Sequence, residues 1–72
     1  MKTLNLHGYR HSEVPGIIDE FLALYDPPFK IITGNSSKMQ QILFFELKKI
    51  GYLFYNESDH NLGSYIILKG NT

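Results

Sequence analysis

His7, His11 and His60 are the side chains best suited to move a proton near neutral pH, because an imidazole ordinarily titrates at about pH 6.5. Arg10 and Lys38 are cations that can hold a phosphate, and Gly8 and Gly34 let a ligand approach the backbone closely. Phosphodiester chemistry needs that combination, an anion site with an acid or base beside it. The chain has no Cys, which excludes a thiol nucleophile, a Cys-based zinc site and a disulfide frame. His7, His11 and His60 with Asp59 have the ligand types of a zinc site. His7 and His11 flank a glycine turn, however, so no metal ligand is assigned. Tyr9 either stacks on a base or covers the first helix.

The elements that must position these residues are legible in the apolar pattern. Leu4 and Leu6 alternate with Thr3 and Asn5, which predicts a short strand ending at His7-Gly8. A helix follows, with Ser12 as its cap, Glu13 at the positive dipole end and Pro15 in the first turn. Val14, Ile17, Ile18, Phe21, Leu22 and Tyr25 form its apolar stripe, and Asp26-Pro27-Pro28 stops it. Phe29 to Thr33 reads as a buried strand bounded by Gly34. Asn35, Ser36 and Ser37 compete to cap a second helix, whose core face carries Met39, Ile42, Leu43, Leu47 and Ile50 and whose stop is Gly51. Glu46 falls inside that stripe, at its rim or paired. Phe44 and Phe45 fall outside it, so that one covers a sheet edge or meets a partner. Tyr52 to Asn56 gives a third strand, Ser58 to Gly63 a polar turn, and Ser64 to Lys69 a fourth strand.

The order βαβαββ predicts an α+β two-layer sandwich. Its mixed four-stranded sheet has strand 4 antiparallel, with two helices on one face. Strands one to three then end at one edge of the sheet, the edge where open α/β sheets bind ligands. His7-Gly8, Thr33-Gly34-Asn35 and Asp59-His60-Asn61 all fall there. Both helices start there too and point free N–H groups at it.

Size and charge limit what such an edge can do. Seventy-two residues make one domain, 1–72, and 43% hydrophobic with 14% aromatic residues suits a compact core rather than a disordered tail. Seven Lys and Arg against seven Asp and Glu exclude holding nucleic acid by bulk charge. Binding at the edge is therefore expected to be local and modest, and stronger below about pH 6.5, where imidazoles protonate. No signal-like or membrane-spanning apolar run is seen, so a cytoplasmic protein is expected, with a monomer favoured.

Leu4-Asn5-Leu6-His7-Gly8 resembles the Leu-Asp-x-His-Gly signature that opens Smr (small MutS-related) domains. Ile31-Ile32-Thr33-Gly34 is similar to the start of their second motif, Thr/His-Gly-x-Gly, and the resemblance runs over roughly residues 3 to 70. It implies a fold like the C-terminal domain of bacterial translation initiation factor three. It also implies binding of DNA or RNA, with endonuclease activity in some members, metal-dependent (Mg or Mn) or metal-independent. On that basis His7 and His60 are the candidate catalytic residues. Asn5, Gly8, Arg10, His11, Thr33, Gly34, Asn35, Ser36 and Lys38 are the candidate nucleic-acid contacts.

Three departures from the family pattern matter. Asn5 stands where the family has Asp, and an amide serves neither as a carboxylate base nor as a hard-metal ligand. Ser36 replaces the second glycine of the second motif, and the glycine-rich segment before the last strand is reduced to Asn61-Leu62-Gly63, where Gly63 is expected in a turn. A non-catalytic module that recognises nucleic acid or a protein partner is therefore the alternative to a nuclease.

Overall fold

In the computed structural model, which describes residues 1–70, six elements follow one another. They are β1 (Thr3–Asn5), α1 (Val14–Leu24), β2 (Phe29–Ile32), α2 (Ser37–Ile50), β3 (Leu53–Ser58) and β4 (Asn61–Leu68). The α+β class and the βαβαββ order are those the sequence implies. β1 runs parallel to β2, while β4 lies antiparallel between β2 and β3, giving the sheet order β1-β2-β4-β3. β1, β2 and β3 therefore point the same way, and their C-terminal ends share one edge.

Side-chain alternation sorts the two faces of the sheet. Phe29 and Ile31 of β2 and Tyr65 and Ile67 of β4 turn inward. There they are buried with Leu6, with Val14 and Ile18 of α1, and with Met39, Leu43 and Leu47 of α2. Each such burial contributes roughly 1.5–3 kcal/mol, the main favourable term available to so short a chain. Phe44 takes the sheet-covering role, stacked on Phe54 at 4.7 Å and edge-on to Tyr65 at 5.1 Å. Phe45 stays on the outer surface with Lys49 Nζ 5.6 Å from its ring centre.

The second helix begins and ends as its sequence dictates. The Ser36 hydroxyl accepts the Met39 N–H at 3.1 Å, and Gly51, at φ +80°, terminates the helix by returning its own N–H to the Leu47 and Lys48 carbonyls. The first helix differs from expectation. Glu13, not Ser12, occupies the cap, and its carboxylate accepts the Arg10 N–H at 3.0 Å instead of an N–H of the helix. Val14 N–H already reaches the His11 carbonyl and Pro15 has no N–H, so a Ser12 hydroxyl finds little to cap.

The hairpin is also longer than the polar composition predicts. β3 runs on to Ser58 and β4 starts at Asn61, leaving only Asp59-His60 as the turn. Side-chain bonds explain the difference: the Ser58 hydroxyl accepts the Asn61 N–H at 3.1 Å, and Asn56 Nδ2 donates to the Leu62 carbonyl at 3.3 Å. Ser58 and Asn61, read as part of a polar turn, thus join Asn56 in fastening two strands across an irregular register between Asn56 and Ser58.

Glu46 is paired, not at the rim. It is buried on α2, with Oε1 2.9 Å from Lys49 Nζ as an ion pair, and among the described residues no hydrogen bond reaches that oxygen. The pairing with Glu46 raises the Lys49 pKa above 10.5 against a smaller opposing effect of burial, and Asp19 of α1 adds to the rise. A lysine held charged in this way stabilises the fold below its ordinary pKa, and the effect fades as pH climbs through the raised value. A Lys49→Met variant, which strands the carboxylate, should melt below the parent by a constant margin from pH 7 to pH 9. Thermal denaturation should show that margin narrowing only above pH 10.5.

Candidate functional site

The two motifs singled out in the sequence meet at the C-terminal edge of β1 and β2. Leu6 N–H bonds the Ile32 carbonyl at 2.8 Å, carrying the pairing one residue past β1. Asn5 Oδ1 then accepts the His7 N–H at 2.9 Å, an Asx-type turn that Gly8 completes at φ +100°. This turn lays His7 against Gly34: a Cβ built on Gly34 would stand 3.7 Å from His7 Cδ2. Gly34 itself sits at φ +68°, a conformation that favours glycine. Asn5 thus has a defined local task, which an Asp carboxylate would perform equally well.

Gly34 is held from the other side by β4. Thr33 N–H and Gly34 N–H both donate to the Gly63 carbonyl, at 2.7 and 3.1 Å. The Thr33 hydroxyl shares its single proton between the Gly34 and Gly63 carbonyls, at 2.9 and 3.2 Å. Gln40 Nε2 adds a bond to the Gly34 carbonyl at 3.2 Å. A Cβ on Gly63 would come within 2.8 Å of Gly34 C and O, so the two backbones cross where only glycine fits. Gly63 therefore works inside β4 as a spacer, not in a turn as its sequence context implied. Thr33 is 2% exposed, and its hydroxyl is spent on this crossing. It positions the site and is removed from the candidate contacts.

The first turn of α2 supplies the electropositive part. Ser36 lies at φ −79°, ψ 112°, open to any residue, so a serine there costs no backbone strain. Its oxygen accepts the Met39 N–H, which leaves its own proton free to give to an anion. Ser37 and Lys38 N–H precede the first intrahelical bonds, which start with Gln40 N–H to the Ser36 carbonyl at 3.0 Å. Asn35 and Lys38 are exposed beside them. The first helix contributes far less than expected, because Val14 N–H is taken, Pro15 has none, and the Glu13 carboxylate stands at that terminus.

The remaining candidates lie at increasing distance from this centre. Gly8, Arg10 and His11 are exposed in the β1–α1 loop, and Tyr9 beside them is 47% exposed, so its ring is not used up covering α1. His60 is exposed at the hairpin tip, with β2 and β4 lying between β1 and β3. β4 continues three residues past Ser64, the partner of Ile32, so the tip projects by about 10 Å at strand rise. His7 and His60 thus belong to one edge but not to one cluster. Among the described residues, no three of His, Asp and Glu converge to hold a metal. Gln40 and Asn56, which brace Gly34 and Leu62, went unnoticed in the sequence; nothing in the local pattern distinguishes them from surface amides.

Comparison of the chain with protein-family models, with curated proteins and with solved structures found no match.

Proposed function

We propose that this chain is an Smr-like nucleic-acid-binding module whose contact surface is the edge where His7 lies against Gly34. The observation that carries this reading is that contact itself. It joins the end of the first motif to the end of the second and sets them beside the open first turn of α2. A phosphate would be taken by Ser37 and Lys38 N–H and the Lys38 ammonium, with Arg10 further along the strand. Tyr9 offers a face for stacking a base. The surface is open and exposed, as suits a polymer.

Binding is favoured over cleavage by the chemistry of the site. Asn5 is neutral, and its oxygen is committed to His7 N–H. Among the described residues no hydrogen bond orients the His7 imidazole, whereas a general base needs a group that fixes it. The second reading, a nuclease, rests on the exposure of His7 beside an anion site.

Anisotropy titrations with single-stranded DNA, duplex DNA and structured RNA, run beside cleavage of supercoiled plasmid with and without Mg²⁺ or Mn²⁺, separate the two. The module binds with a salt dependence and cuts nothing. Cleavage that disappears in His7→Ala would establish the nuclease, and absence of binding to all three ligands would end both readings. Lys38→Glu should weaken binding about equally for every sequence tested and lower the salt slope by about 1, the mark of a lost phosphate contact.

A further inference from the structure

One face of the sheet is covered by the helices, and among the described residues no helix or strand covers the other. On the uncovered face the pairings Leu53↔Leu68 and Tyr55↔Ile66 set four apolar side chains side by side. Leu53 and Tyr55 are each 53% exposed and Leu68 is 37% exposed. Lys30 of β2 crosses the same face to Glu57 of β3, with Nζ 3.0 Å from Oε2 and neither side chain buried.

We propose that this face is the interface with a second copy of the chain, sheet on sheet about a two-fold axis that runs along β4. The charges are self-complementary under that operation. β4 lies between β2 and β3, so the axis brings β2 of one copy over β3 of the other and places each Lys30 within reach of the Glu57 of the partner subunit. Ile66 and Leu68 meet their own counterparts at the centre. The chain carries no net charge, so no long-range repulsion opposes association.

The monomer favoured on sequence grounds reflects a face that only the folded sheet reveals. Leu53 and Leu68 sit at the end of the hairpin far from its Asp59-His60 turn, so pairing leaves the His7 edge free. An axis along the strands also brings both His7 edges to the same side of the dimer. The interface stands whether or not that edge binds nucleic acid.

Sedimentation equilibrium over a wide loading range tests it. The parent chain should approach twice 8.3 kDa. Tyr55→Lys should raise the dissociation constant at least tenfold and return the 8.3 kDa species with an unchanged circular dichroism spectrum. Lys30→Glu should do the same, and adding Glu57→Lys should restore the dimer. Phe45→Glu, on the outer helix surface, should leave it intact. A parent that stays at 8.3 kDa throughout would overturn the proposal. So would a dimer that Tyr55→Lys leaves unchanged.

Discussion

A Gly63→Ala variant should lose about 3 kcal/mol of stability, and with it the shape of the site. The added Cβ would lie 2.8 Å from Gly34 C and O, which are backbone atoms and cannot swing aside as a side chain could. Relief requires β4 to retreat from β2 at the point where Thr33 and Gly34 N–H and the Thr33 hydroxyl all bond the Gly63 carbonyl. Each such bond contributes about 1 kcal/mol, and domains of this length hold only about 3–5 kcal/mol in total. Urea denaturation should therefore show a large unfolded fraction before denaturant is added. Gly16→Ala is the control. Nothing lies within 4 Å of its Cβ and its φ is not positive, so a helical alanine there should stabilise by about 0.5–1 kcal/mol. Equal losses in the two variants would mean that glycine flexibility, not the crossing with Gly34, sets the first effect.

His7→Ala should weaken nucleic-acid binding about tenfold, or ~1.4 kcal/mol, while stability moves by no more than about 0.5 kcal/mol. The ring is exposed and outside the core, so the fold has little invested in it. Asn5→Ala should behave differently. It removes the acceptor for His7 N–H and so disturbs the turn, at a cost of about 1 kcal/mol. Asn5→Asp keeps that acceptor and the turn but adds a negative charge at the edge, so it should bind less tightly than the parent at low salt and approach it at high salt. Anisotropy titrations paired with melting curves for the three variants check the pattern. A parallel fall in stability and affinity for His7→Ala would give His7 a purely structural role.

The fold was legible where local chemistry acts alone. A cap among Asn35, Ser36 and Ser37, the Gly51 stop and the inward Met39, Leu43 and Leu47 could be placed from spacing, and the structure has them there with Ser36 as the cap, while Ile50, read into the same stripe, is 45% exposed. Ser12 misled because a good cap residue needs free N–H groups ahead of it, and Pro15 with the His11 carbonyl removes them. The hairpin misled for the opposite reason. Ser58 and Asn61 are loop residues by propensity, but the Ser58 hydroxyl accepts the Asn61 N–H, and Asn56 donates to the Leu62 carbonyl, once β4 lies beside β3. The strand order was not legible, since nothing local says that β4 inserts between β2 and β3. The roles of Thr33 and Gly63 depend on that insertion. The meeting of His7 with Gly34 followed from parallel pairing of β1 and β2 and was foreseeable as a shared edge, though not as a contact.

Binding at the edge where His7 lies against Gly34 is the central proposal, and its most direct test is a residue-by-residue map of binding. Amide resonances of the ¹⁵N-labelled protein, followed during titration with a short single-stranded oligonucleotide and with structured RNA, report each position separately. The largest changes should fall at His7 to His11 and at Gly34 to Lys38. Leu24 and Phe45 on the helices should stay still. Saturation without changes at His7, Gly34 and Lys38, or changes centred on the outer helix surface, would contradict the assignment of this edge.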